Sequence, residues 1–133
     1  MIRQPKVGET GEIRFTVDES HVIDFAEGNM PLVLSTPNLV WFLENAARNV
    51  LVPLFEPGET CVGTDVDFQH LAAAPLGFEV ICTGRVIHVE KNIVTFQVEA
   101  RDEQELIARG IHKRAVLKID RFAKRIAAKR ARK

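Results

Sequence analysis

Residues 35–55 carry their apolar side chains at helical spacing, and after Gly58 the period drops from 3.6 to 2. A chain with one long apolar helix and otherwise strands has few ways to fold. Leu39, Leu43, Ala46, Val50 and Leu54 form the stripe, with Val40, Ala47 and Leu51 beside them. It is wide enough for a helix largely wrapped by other structure. Thr36 is the expected N-cap and Pro37 the expected first helical residue, where a missing amide costs nothing. Pro53 and the Glu56-Pro57-Gly58 turn close the segment.

The remaining runs read as strands. In residues 12–17, Ile13, Phe15 and Val17 alternate with Glu12, Arg14 and Thr16. In residues 62–70, Val62, Thr64, Val66, Phe68 and His70 share one face, and Gly63, Asp65, Asp67 and Gln69 the other. Further strands are expected over 78–89, 93–100 and 106–119, with a hairpin turn at Glu90-Lys91-Asn92 in which Asn92 takes the left-handed conformation. Asp120 is expected to cap a short basic helix. Short turns imply antiparallel neighbours, so four strands in a meander are expected to curl round the one helix. This is an α+β domain of the hot-dog kind. Residues 18–34 have no clear period and read as a long loop ahead of the helix, a length that favours a functional role.

With 133 residues, 46% of them hydrophobic, the chain can fill one core, so a single domain over 1–133 is expected. No apolar run reaches membrane-spanning length and no secretory signal is evident, which points to the cytoplasm. Cys61 and Cys82 fit neither a zinc framework nor a redox pair and read as small buried hydrophobes. The zero net charge hides an asymmetry. Residues 120–133 hold seven Lys or Arg against Asp120, while the rest hold 11 basic and 17 acidic groups. Such a tail invites a nucleic-acid reading, but with Phe122 alone interleaved it offers no base-stacking platform, and a solvated helix is the plainer account.

Three residues could carry chemistry. His70 falls on the apolar parity of its strand, where an imidazole needs a partner; it is either a satisfied core histidine or a proton carrier. Glu44 interrupts an otherwise apolar helix and faces either solvent or a cleft. Thr36 is by itself an N-cap. His21, His88 and His112 read as surface or loop histidines. Together, a hydroxyl at a helix start, a carboxylate two turns on and a strand histidine are the parts of an acyl-transfer site. Free amides at the helix start could polarise a carbonyl oxygen.

The chain also resembles a known family. The segments that carry the resemblance are Ser35-Thr36 through Glu44-Asn45-Ala46, then Leu54-Phe55-Glu56-Pro57-Gly58-Glu59, Gly63-Thr64, Gln69-His70, Ala74-Pro75-Leu76-Gly77, and Gly110-Ile111-His112-Lys113-Arg114-Ala115-Val116. They are similar to the fluoroacetyl-CoA thioesterases of the hot-dog group, over roughly residues 7–125. The resemblance implies catalytic roles for Thr36, Glu44 and His70. It places the family's glycine at Gly63 and its final-strand arginine at Arg114. Where the family's fluoroacetate gate carries bulky aromatic residues, this chain has Glu27 and Met30, in a shorter loop. The resemblance therefore implies a thioesterase of a short or ordinary acyl-CoA. The loop over residues 24–34, with Met30 in it, is expected to act as a lid and set acyl preference, from its length and its place just ahead of Thr36. Arg114, Lys113 and the basic tail are the expected cations for the CoA diphosphate.

No cofactor is expected beyond the CoA carried by the substrate, and no metal, since one His and one Glu are too few ligands. Thr36 and Glu44 are eight residues apart, about 12 Å along one helix. The set is therefore expected to be completed across a homodimer, or a dimer of dimers, with no nucleic-acid or membrane partner. Rival readings are a hot-dog hydratase or dehydratase, which needs no Thr36, and a non-catalytic acyl-CoA binding module.

Overall fold

The apolar stripe forms α1 (Thr36–Leu51), and Pro53 closes it in a short 3-10 turn, Val52–Leu54. In a computed structural model that describes residues 1–25 and 27–133, α1 packs on one five-stranded sheet. The cap is Ser35, not Thr36. Ser35 is extended (φ −74°, ψ 149°) and its Oγ accepts from the Asn38 amide at 3.3 Å. Thr36 thus becomes the first helical residue and Pro37 the second, which leaves the Thr36 hydroxyl free of capping.

The strands are β1 (Thr10–Thr16), β2 (Glu59–His70), β3 (Glu79–Glu90), β4 (Ile93–Arg101) and β5 (Leu106–Lys118). They lie in the order β1-β3-β4-β5-β2, all neighbours antiparallel. Only β3, β4 and β5 form a meander. β2 stands at the edge beside β5, because residues 71–78 cross over instead of turning tightly. Their backbone is used on the way: Leu71 N donates to Ile107 O at 2.7 Å, Ala74 O accepts from Leu34 N at 2.9 Å, and Gly77 N donates to Val17 O at 2.8 Å. In the β3–β4 hairpin Lys91, not Asn92, takes positive φ (55°); the Asn92 side chain instead donates to Val116 O at 3.1 Å.

Leu39, Leu43, Ala46 and Leu51 of α1 are buried against Val80, Cys82, Val98 and Ile107. Burying a Leu or Ile side chain in this way stabilises by about 1.5–3 kcal/mol. Gly84 lets the helix lie this close, since a Cβ there would stand 2.8 Å from the Ala47 Cα. Cys61 and Cys82 are both buried free thiols, and burial pushes the Cys82 thiol up to about 12. The last element, α2 (Ile119–Ala131), buries none of its residues. Lys118 precedes it with no side-chain cap, and Asp120 sits in its first turn. Among the described residues, no helix is long and apolar enough to cross a membrane.

Candidate active site

Two clusters of polar side chains flank α1. The first joins the helix start to the end of β2. Thr36 Oγ1 lies 2.8 Å from His70 Nδ1. Both line a cavity of about 150 Å³ whose other walls include Leu39, Val40, Leu43 and Phe68. Burial lowers the His70 pKa below the ordinary imidazole value, partly offset by the Ala72 backbone. A neutral ring can accept the Thr36 proton at Nδ1, and the other nitrogen then carries hydrogen. That nitrogen, Nε2, is buried without a partner among the described residues. An orphaned buried donor is rare enough to mark a place where another group belongs.

The second cluster surrounds Glu44, midway along α1. A bulge makes it possible. Gly63 pairs with Arg114 and Asp65 with Lys113, so Thr64 is an extra residue in β2. The simple alternation put Val62 and Thr64 on the helix side; the bulge puts Gly63 there, directly under Glu44. A Cβ on Gly63 would stand 2.7 Å from Glu44 Oε2 and 3.2 Å from His112 Cε1. Arg114 Nη1 donates to Glu44 Oε2 at 3.3 Å, and Arg114 Nε donates to Cys61 Sγ at 3.2 Å. Arg114 is only 6% exposed. It is therefore turned into the protein and is not an outward cation for a diphosphate.

His112 is the residue that sequence reasoning misplaced. It is fully buried, between the rings of Phe68 and Phe96. Its Nδ1 is 2.7 Å from the Asp65 carbonyl, and its Nε2 is 3.1 Å from Arg114 Nη1. The available signal was that His112 and Arg114 share strand parity with apolar Val116, and so point at the core. His21 is also no surface residue. Its ring packs edge-on against Phe15 and Phe42, and its carbonyl accepts from the Ser35 amide at 2.8 Å, which anchors the helix start. His88 is exposed, as expected.

Within one chain the two clusters stay apart. Gly63 and His70 stand seven positions apart on β2, roughly 20 Å of strand. Gly63, where the resemblance places the family's glycine, sits with Glu44. Met30 and Lys113 join neither cluster. Met30 is exposed in the loop ahead of α1 and does not line the Thr36–His70 cavity. Lys113 is exposed, next to Arg114 on the opposite face of β5.

Against known proteins, the profile of the fluoroacetyl-CoA-specific thioesterase family, FlK, matches residues 17–120. The fluoroacetyl-CoA thioesterase of Streptantibioticus cattleyicolor is 34% identical over 106 residues, covering 80% of this chain and 75% of that protein. A solved structure of the fluoroacetyl-CoA thioesterase FlK superposes with a TM-score of 0.86 at 28% identity, over 96% of this chain and 98% of that one. A thioesterase-superfamily protein of Thermus thermophilus does so with a TM-score of 0.89 at 28% identity, over 98% and 96% of the two chains. The fold is thus the hot-dog fold of these thioesterases, and the chain belongs to the fluoroacetyl-CoA-specific thioesterase family.

Proposed function

We propose that this chain hydrolyses a small or ordinary acyl-CoA, with Thr36, Glu44 and His70 as its catalytic residues. Thioester hydrolysis comes with the family. The observation that carries the assignment of residues is the 2.8 Å contact between Thr36 Oγ1 and His70 Nδ1, beside a cavity large enough for a short acyl group.

The chemistry follows from charge. Attack at the thioester carbon puts negative charge on the carbonyl oxygen. Pro37 has no amide hydrogen and the Asn38 amide is taken by Ser35, so at this helix start the Thr36 amide is the donor left to meet that oxygen. One such donor is typically worth about 3 kcal/mol in the transition state. Glu44, fixed by Arg114, is the nucleophile or the base that activates water. As the C–S bond breaks, His70 Nδ1 takes the Thr36 proton and passes it to the departing CoA thiolate, and Thr36 recovers the proton that Glu44 draws from water.

Because the clusters are about 20 Å apart along β2, one chain cannot place Glu44 and Thr36 at a single carbonyl carbon. A homodimer with antiparallel α1 helices would set the Glu44 of one chain beside the Thr36–His70 pair of the other. The orphaned His70 Nε2 supports this, since a partner or substrate group would satisfy it. With Arg114 turned inward, the phosphates of CoA fall to exposed cations. Lys91, Lys118, Arg121 and Arg125 line a cavity of about 520 Å³ between the β3–β4 turn, the end of β5 and α2.

The test is hydrolysis across a panel of acyl-CoAs, read as released thiol. At least one short or ordinary acyl-CoA should be cleaved, with Thr36→Ala strongly impaired. A folded protein that cleaves none of the panel overturns the proposal. A Thr36→Ala variant with full turnover would remove Thr36 from the catalytic set.

A further inference from the structure

His112 stands in no direct contact with the Thr36–His70 cavity, yet both of its nitrogens are committed. A fully buried imidazole is costly unless each nitrogen has a partner, and a Leu or Phe would fill the same space without that demand. The chemistry of the partners fixes its state. A carbonyl only accepts, so Nδ1, 2.7 Å from the Asp65 oxygen, carries the hydrogen. A guanidinium only donates, so Nε2, 3.1 Å from Arg114 Nη1, presents its lone pair. The ring is therefore neutral. The 3.9 Å separation between His112 Nε2 and Glu44 Oε2 is then no ion pair; the Arg114 hydrogen on Nε2 excludes it.

The effect falls on Arg114. Its Nε is held by Cys61 Sγ and its Nη1 by His112 Nε2. The His112 ring is neutral, so it fixes the guanidinium without cancelling its charge. Glu44 is the one carboxylate within 4.0 Å of Arg114 among the described residues. The bulge in β2 completes the device, because it turns the Asp65 carbonyl to His112 and Gly63 to Glu44 in the same step.

We propose that His112 is a positioning residue for the hydrolysis: anchored on the Asp65 carbonyl, its ring holds the Arg114 guanidinium against the Glu44 carboxylate. This rests on Glu44 being the active carboxylate. The groups facing this centre are Arg114 and His112 on β5, Asp65 and Cys61 on β2, and Glu44 itself on α1.

Two variants separate positioning from mere packing. In His112→Gln the amide oxygen falls where Nε2 was and can still accept from Arg114. In His112→Asn the shorter side chain reaches the Asp65 carbonyl but not Arg114. Expected is that His112→Gln keeps kcat/KM within a few fold of the parent. His112→Asn should lose about tenfold, in kcat and with KM little changed, as for a displaced reacting group. Equal losses in both variants overturn the proposal and leave His112 a packing residue. Independently of activity, imidazole 15N NMR of the unmodified protein should show a neutral His112 with hydrogen on Nδ1 between pH 5 and 8. A ring protonated on both nitrogens, or on Nε2 alone, overturns it as well. If the protein cleaves no acyl-CoA while the NMR result holds, the reading of Glu44 fails and the placement of His112 stands.

Discussion

Thr36 Oγ1 and His70 Nδ1 lie 2.8 Å apart although their residues are 34 positions apart in the chain. The pairing is possible because Ser35 caps α1, leaving the Thr36 hydroxyl with no helical duty. His70→Ala and Glu44→Ala are each expected to lower kcat at least about 10²-fold, the scale of a lost proton carrier or base. Steady-state kinetics on an acyl-CoA that the parent cleaves check this. Unchanged turnover in both variants removes the set from the mechanism.

The buried histidines give a pH dependence of stability. Burial holds both His70 and His112 below the ordinary value of 6.5. Below about that pH the unfolded chain binds protons that the folded rings refuse. Their contribution is therefore fully present above about 6.5 and is lost as the pH falls through the lower folded values. Tm should drop between pH 7 and pH 5, and His70→Gln should drop less over the same range. An identical slope in parent and variant would remove His70 from that account.

Glu44 and Gly63 give a cleaner split between fold and function. The Cβ of Gly63→Ala would stand 2.7 Å from Glu44 Oε2, the free end of a flexible side chain. The carboxylate can swing aside at little structural cost, but it then leaves Arg114. We expect Tm within a few degrees of the parent and kcat lower by about tenfold or more, as for any displaced reacting group. A variant as active as the parent would show that Glu44 acts from another position.

Assembly can be tested by complementation. Inactive Thr36→Ala and inactive Glu44→Ala are mixed, unfolded and refolded together. If the sites are shared between chains, a mixed dimer holds one intact site. With random pairing at equal mixing, about a quarter of full activity should return. No recovery would place all three residues in one chain, and a fully active monomer in sedimentation would sink the shared site altogether.

Removing residues 123–133 should leave the sheet and both polar clusters folded, because α2 buries none of its residues. KM for CoA esters should rise modestly, and the difference should shrink at high salt, where exposed cations are screened. A truncated chain that no longer folds would mean that α2 docks on the sheet in the working protein.

The sequence by itself determined the local choices. The 3.6-residue stripe set α1, and the period of 2 set the strands, since each depends only on neighbours along the chain. It also singled out Glu44 and His70, because a carboxylate and an imidazole stand out against apolar periodicity, while Thr36 by itself read as a cap. What it could not supply were choices made between distant segments. Ser35 displaced Thr36 as the cap because the His21 carbonyl and the Asn38 amide converge on it. β2 went to the sheet edge because residues 71–78 found partners in Ile107, Leu34 and Val17 instead of closing a turn. The bulge at Thr64 reversed the parity of Gly63, and a single extra residue leaves no mark in a pattern of alternation. Arg114 and His112 looked like solvated strand residues until the fold set Glu44, Cys61 and Asp65 around them. A buried charge or imidazole is tolerable only where partners converge, and that convergence exists only in three dimensions.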